Sequence, residues 1–348
     1  MHGVPTTERS DPYPAQVTAI IVTYGNRQHF VQPVMLRLQA LGIKNVILVD
    51  NGSPWPIEAW IASLATLDFH LHYLPLAQNR GSAVGIAMGL LKAQELQAEF
   101  IWLLDDDNLP EHLALENLLK HYAQLQKIHA RPRLAVLSFR PHRASEILGV
   151  GIQKVKNRWS SFMDFHFMDL PQKILRRLFR TTSAAAAPIP SRLSVAAAPY
   201  GGLFMHREVI ETIGLPRADL VLYADDIEFT RRITQRGGHI YLITDSILVD
   251  EDPPWYMDAS MPTNGFAKLL LGKSPLRAYY WTRNLVYLDA YSRTHDSFFY
   301  ALNQKLYLFF LWILARVYHQ PHRYHIIRQA IQDGLHQNLG IHPDFPLS

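Results

Sequence analysis

The first 140 residues of this 348-residue chain alternate two hydrophobic periods. Short apolar runs at Val17–Tyr24, Asn45–Asp50, Phe69–Leu74, Phe100–Asp105 and Arg133–Phe139 have the length of strands. Between them, Phe30–Leu41, Ile57–Ala65, Ser82–Ala98 and Pro110–His129 carry helical patterns. The last is expected to open with Asn108 as cap and Pro110 in the first turn, where a missing N–H costs nothing. Strands alternating with helices specify an α/β fold, in which a mostly parallel twisted sheet with right-handed crossovers is covered on both faces. With 48% hydrophobic and 18% charged residues, the chain can bury a sizeable core and does not read as disordered. The absence of cysteine excludes disulfide frameworks and thiolate metal sites.

Beyond residue 140 the pattern changes. Residues 157–198, including "RTTSAAAAPIPSRLSVAAAP", are small and Pro-bearing and read as a mobile loop or insertion. Regular structure resumes at "PYGGLFMHREVIETIG", continues through the helix "DDIEFTRRITQRGG" and the strand "HIYLIT", and becomes helical and aromatic-rich from about Arg277. The expected division is a flexible N-terminus (1–16), a main α/β domain (17–275) and a C-terminal helical region (276–348). No apolar h-region marks the N-terminus, and Leu306–Ala315 would span about 15 Å as a helix, half a bilayer core. Neither a signal peptide nor a transmembrane span is expected, and the default location is the cytoplasm.

The chemistry concentrates where strands end. In open α/β sheets, ligands bind outside the carboxyl ends of the strands. Three strands here end in polar clusters: Thr23-Tyr24-Gly25-Asn26-Arg27, Asp50-Asn51-Gly52-Ser53 and Asp105-Asp106-Asp107. The second is also an ordinary Asn-Gly turn signal. One acid at a helix start complements the dipole, but three on one strand end suit a hard, oxygen-ligated cation such as Mg²⁺ or Mn²⁺ bridging a diphosphate. Gly81, Gly85 and Gly89 in "NRGSAVGIAMGL" fit neither a P-loop nor GxGxxG. Gly85 and Gly89 read as close packing, while Asn79 and Gly81 sit where helix-start amides contact an anion. A second acidic group, Asp225, Asp226 and Glu228 in "YADDIEFTRR", opens another helix, either as dipole complementation or as a general base.

Taken in order, "IIVTYGNR", "VDNGS", "NRGSAVG", "LLDDDNLP", "GGLFMHREVIETIG" and "YADDIEFTRR" resemble glycosyltransferase family 2, inverting enzymes of the GT-A fold. The resemblance spans roughly Val17 to Asp252. It implies that Thr23, Tyr24 and Asp50 line a nucleoside pocket, with Asn79 and Gly81 near the ribose and diphosphate. Asp105, Asp106 and Asp107 would fall on the donor, Asp105 and Asp107 matching a metal-binding DxD. Gly201, Gly202, Asp225, Glu228, Trp255 and Arg283 would lie toward the sugar or acceptor, and Asp226 would be the base. Many relatives carry a metal-binding histidine after the strand that follows the base helix; here "SILVDEDPPW" offers Asp250 or Asp252 instead, so Asp250 is expected as the third ligand. "YADDIEF" and "YYWTRN" look more like the galactofuranosyl- and rhamnosyl-transferring branch. The implied donor is a UDP- or dTDP-linked sugar, and the implied acceptor a growing cell-surface polysaccharide or lipid-linked glycan.

From Arg131 to Arg180 the sequence holds 11 Lys/Arg against three acids, which suits a solvated basic loop or an anionic surface. The helix "FFYALNQKLYLFFLWILARVYH" is apolar nearly all round, fitting a helical bundle, a homo-oligomer contact or a peripheral contact with the inner face of a membrane, helped by the basic Lys173–Arg180. Two rivals stand against the transferase reading. A nucleotidyltransferase would need a basic phosphate loop after the first strand, where only Arg27 is present. A glycan- or nucleic-acid-binding module would leave both acidic clusters without a purpose, so no nucleic-acid partner is expected.

Overall fold

The computed structural model describes residues 13–64, 68–143, 160–171, 190–252, 265–292 and 297–347. Its frame is a nine-stranded sheet in the order β3-β2-β1-β4-β8-β6-β9-β5, with β7 (Arg192–Val195) paired to β9. The first four sequence strands are β1 (Val17–Thr23), β2 (Asn45–Asn51), β3 (His70–Leu76) and β4 (Phe100–Asp105), and they pair in parallel as predicted. Beyond β4 the sheet is mixed. β8 (Leu203–His206) runs antiparallel to both β4 and β6 (Leu134–Phe139), and β9 (His239–Asp250) is again parallel to β6.

Alternate residues of the buried strands feed opposite layers. Ala19, Ile21 and Val46 pack against α1 (Gln28–Ala40) and α4 (Ala114–Leu125), while Ile20, Ile47 and Val49 pack against α3 (Ser82–Glu95). The four-residue glycine spacing on α3 serves this contact. A Cβ on Gly85 would lie 2.6 Å from Val22 and one on Gly89 2.4 Å from Ile20, so the helix can sit this close only without those side chains.

One segment departs from the sequence expectation. Asn108 and Pro110 do not cap and open a helix. They form the short strand β5 (Asn108–Pro110), antiparallel to the end of β9 in the register Asn108↔Asp250 and Pro110↔Leu248, and α4 starts four residues later. A Pro is tolerated in so short an edge strand. β9 reaches β5 because it is twelve residues long and shifts register against β6 after Ser138. The six residues predicted as a strand are thus only its first half, and the second half carries Asp250 to the end of β4.

Helices follow from Gly265: α7 (Gly265–Leu271), α8 (Pro275–Ser292), α9 (Ser297–Val317) and α10 (Pro321–Leu335), after α5 (Glu208–Ile213) and α6 (Asp225–Gln235). They enclose their own apolar cluster, in which Phe162 and Phe165 from the 160–171 segment are buried. Asn303 stitches this segment to α9, accepting from the Phe167 amide and donating to the Ser160 carbonyl. Among the described residues α9 is long and apolar enough to cross a membrane by length and composition, and 28% of its apolar window is buried. The sequence expectation measured only ten residues of this helix, which is why it found no span of that length. The basic Lys173–Arg180 and half of the 157–198 stretch lie outside the described residues.

Candidate active site

Parallel pairing aligns the ends of β1, β2 and β4. Thr23 stands opposite Asp50, and Val22 opposite Asp105, so the polar clusters predicted from sequence share one sheet edge. The consecutive aspartates then take different environments. Asp106 turns inward and is 3% exposed. It accepts from the Thr23 hydroxyl at 2.8 Å and from Arg27 Nε at 2.9 Å. This corrects the expectation for two residues: Thr23, fully buried, and Asp106 are not open to a donor but fasten β1 to β4. Burial pushes the Asp106 carboxyl up, and Arg27 and Thr23 oppose it.

Asp105 and Asp107 flank it. Asp105 accepts from Arg140 at 2.9 Å and Asp107 lies 3.5 Å from Arg27. Desolvation, then the charges of Asp105 and Asp106, push Asp107 up to about 7. Asn108 organises the group and was missed in sequence, where it resembled a helix cap. It is fully buried, takes the Asp105 amide on Oδ1 at 3.1 Å, and donates through Nδ2 to Asp250 at 2.9 Å. Only the β5–β9 register reveals that role.

Asp250 does arrive at this point, yet its carboxylate is already enclosed. Oδ1 receives Asn108 and Arg140 (3.4 Å), and Oδ2 receives Arg143 Nε at 2.9 Å. As a cation ligand it would have to exchange these partners, so it sits as the anchor of an arginine cage. Asp252 pairs with Arg27 at 2.8 Å. Arg140 and Arg143, read from sequence as part of a basic surface, are thus committed to the acidic site. Burial works against charge on Arg27, but the charge and hydrogen bond of Asp106, then the hydrogen bond of Asp252, hold it above its ordinary value.

Do these residues fit a divalent cation? Among the described residues no three acid or histidine side chains converge on one metal position. Among the described residues, however, Asp105, Asp106, Asp107, Asp250 and Asp252 pair with Arg27, Arg140 and Arg143, five carboxyls to three guanidiniums. The oxygen donors of Asp105 and Asp107, crowded enough to raise Asp107, suit a hard cation whose remaining ligands come from phosphate oxygens and water.

The nucleoside side is built from turns. Asp50 is 6% exposed and takes the Ser53 amide at 2.7 Å and the Tyr73 hydroxyl at 2.9 Å. Asn51 bonds the Gly81 carbonyl and the Arg80 amide, and Asn79 Oδ1 takes the Gly81 amide. Gly81 has φ +87°, and a Cβ there would lie 2.2 Å from the Val221 carbonyl oxygen. Tyr24 stays 41% exposed, with Arg27 over its ring at 5.3 Å. Gly201 is pressed onto the acids, since a Cβ would come within 2.5 Å of Asp105 Oδ2. Gly202 (φ +95°) contributes only backbone, donating to Leu103 and accepting from Ser138. Trp255 lies outside the described residues.

The second acidic group stands at the start of α6. Asp225 is 2% exposed, accepts from Ser82 Oγ at 2.9 Å, and is pushed up to about 6 by burial. Expected from sequence toward the sugar or acceptor, it ties α6 to the start of α3. Asp226 is half-buried, and Glu228 pairs with Arg232 at 3.1 Å, one turn on. The chain enters α6 through left-handed backbone at Val221, Tyr223 and Ala224 (φ +68°, +63° and +60°), unusual for residues other than glycine and costing on the order of 1–3 kcal/mol each. Arg283, also expected toward the sugar or acceptor, is 1% exposed and bonds the carbonyls of Leu220 and Gly340.

Residues 18–179 match the family model described as glycosyl transferase family 2. The chain carries a glycosyl transferase family 2 domain. A curated relative, galactofuranosyltransferase GlfT1 of Mycolicibacterium smegmatis, is 23% identical over 225 residues, covering 64% of this chain and 66% of the relative. Among solved structures, GalNAc-T7 with UDP, GalNAc and Mn²⁺ aligns at TM-score 0.48 and 15% identity, over 82% of this chain and 49% of that one. S. aureus TarS 1–349 in complex with UDP-GlcNAc aligns at TM-score 0.44 and 13% identity, over 92% and 89%. The chain therefore spans under two thirds of the curated relative and about half of GalNAc-T7. At these TM-scores the structural likenesses assign no residue a role.

Proposed function

We propose that this protein is an inverting glycosyltransferase that moves a sugar from a nucleoside-diphosphate donor to an acceptor hydroxyl. The observation that carries the reading is an acid-crowded strand end on the same sheet edge as the turn and helix start to which a second acid is bonded. Asp105–Asp107 end β4, while Asp225 is bonded through Ser82 to the start of α3, just after Asn79 and Gly81.

In this reading Asp226 takes the proton from the acceptor hydroxyl as its oxygen attacks the anomeric carbon, and the nucleoside diphosphate leaves from the opposite face. Asp225, held by Ser82, fixes the start of α6 so that Asp226 is aligned. Asp107 and Asp105 would hold Mg²⁺ or Mn²⁺, which supplies charge stabilisation for the departing diphosphate. Arg27, Arg140 and Arg143 keep the carboxylates in place, and Asp250 anchors that cage. Tyr24 and the Asp50 turn form the nucleoside wall.

The donor is proposed as a UDP- or dTDP-linked galactofuranosyl or rhamnosyl group. The name of the curated relative supports the first of these sugars. The acceptor is proposed as a cell-surface polysaccharide or lipid-linked glycan, met at the inner face of a membrane. Exposed Phe298, Phe309, Trp312 and Val317 on α9, with no acid between Ser297 and Gln332, support that contact. The test is release of nucleoside diphosphate from UDP- and dTDP-sugars with a glycan acceptor, with NMR of the product's anomeric configuration. Release with inversion, abolished in Asp226→Asn, supports the proposal; retention of configuration, or full activity in the variant, contradicts it.

A further inference from the structure

The left-handed run before α6 needs something to hold it, and the structure shows what does. Asn284, fully buried on α8, directs its Nδ2 at three carbonyls around that run: Leu220 at 2.7 Å, Leu222 at 2.9 Å and Tyr223 at 2.8 Å. Its own oxygen accepts from Arg283 Nε at 2.9 Å, which fixes the amide's orientation. Arg283 Nη2 adds a bond to the Leu220 carbonyl at 3.2 Å. The guanidinium lies over the rings of Tyr279 and Tyr280, at 5.7 and 4.8 Å. From the other side, the Ala83 amide bonds the carbonyl of Val221 at 3.1 Å. Gly81 leaves no more than van der Waals room against that same oxygen.

Three non-glycine residues with positive φ persist only where surroundings over-determine them. Here one amide and one guanidinium, adjacent on α8, do so from within the protein. The strained run ends at Ala224, the residue before Asp225 and Asp226. We propose that Asn284, oriented by Arg283, is a positioning residue for the reaction: it clamps residues 220–224 so that Asp226 presents to the acceptor while Asp225 stays on Ser82. The inference rests on the reading of Asp226 as base. It gives the "TRN" of α8 a role exerted through backbone carbonyls.

A clamp of this kind affects turnover more than donor affinity, because a misaligned base costs rate, on the order of 10²-fold for a displacement near 1 Å. Asn284→Ala and the isosteric Asn284→Asp, which cannot donate, are expected to lower kcat by about 10²-fold. Donor KM and the Kd for UDP should stay within about threefold. Ala224→Gly, tolerant of positive φ unaided, is expected to restore at least about threefold of the kcat lost in Asn284→Ala. A merely structural role would show no such rescue.

A kcat within about threefold of the native value in either Asn284 variant overturns the clamp. So does a parallel loss of kcat and UDP binding that Ala224→Gly leaves unimproved. Should both variants fail to fold, Arg283→Lys takes their place, with a drop of about fivefold in kcat expected and an unchanged kcat contradicting the proposal. Amide exchange decides the clamp without activity. Residues 220–228 should exchange at least about tenfold faster in Asn284→Ala while the β1–β4 core is unaltered, and equal rates would overturn it. If native protein turns over no donor but exchange responds as stated, the functional reading falls and the clamp stands.

Discussion

The two acidic groups of this protein are handled by opposite means. At the end of β4, five carboxyls and three arginines form two ion-pair groups joined through Asn108, so charge meets charge. At the start of α6, Asp225 is buried against a serine hydroxyl, and strained backbone held by an amide sets its place. The first arrangement places more carboxyls than arginines together among the described residues, an excess that a cation can share. The second fixes direction through a hydroxyl and the backbone rather than through charge, and burial raises a carboxyl in both, Asp107 in the first and Asp225 in the second. Acids placed to hold an ion and acids placed to aim at a hydroxyl need these different surroundings.

The strongest way to break the comparison is at Asp226. Asp226→Asn is expected to cut turnover by about 10³-fold, within the range for a lost general base, with UDP affinity unchanged by calorimetry. Comparable loss of UDP affinity would assign Asp226 to the donor side and dissolve the division of labour.

Next in size is the arginine cage. Arg140 is 1% exposed and shared between Asp105 and Asp250. Arg140→Ala leaves buried negative charge short of a partner and is expected to cost about 3 kcal/mol in urea unfolding. A neutral result would mean that Arg143 and Asn108 suffice for Asp250.

The smallest effect sharpens the other side. Asp225 is raised to about 6 from an ordinary 3.8, first by burial. The folded protein therefore binds that proton more tightly than the unfolded chain. Its contribution favours folding below about pH 4 and is lost as pH rises through about 6. Asp225→Asn should remove that slope and raise stability at pH 7.5 by about 1–2 kcal/mol, read from urea midpoints at several pH values. Lower stability in the variant would show that the ionised carboxylate is fully compensated.

The parallel half of the sheet was legible because β1, β2 and β4 were closed apolar runs, because β3 alternated, and because β1, β2 and β4 ended in the residues that mark the edge. The triple aspartate was legible as a cluster but not residue by residue. Periodicity cannot say that Asp106 turns inward to Thr23 while its neighbours do not. Asn108 and Pro110 read as a helix start because local turn chemistry is the same for a cap and for a short edge strand; the pairing with Asp250 lies 142 residues away in sequence. Arg140 and Arg143 read as surface charge for a similar reason, since their partners are distant in the chain. Arg283 was singled out through its motif, but its carbonyl partners are backbone atoms that no side-chain pattern displays. The left-handed entry to α6 had no glycine to announce it.

The most direct test of the account is calorimetric titration of UDP and dTDP, with and without Mn²⁺, into native protein and Asp107→Ala. The account predicts that one nucleotide binds only with Mn²⁺ and that the binding is lost in the variant while the protein remains folded. Binding of equal strength without the cation, or undiminished in Asp107→Ala, would contradict the claim that the end of β4 holds a cation-bound diphosphate.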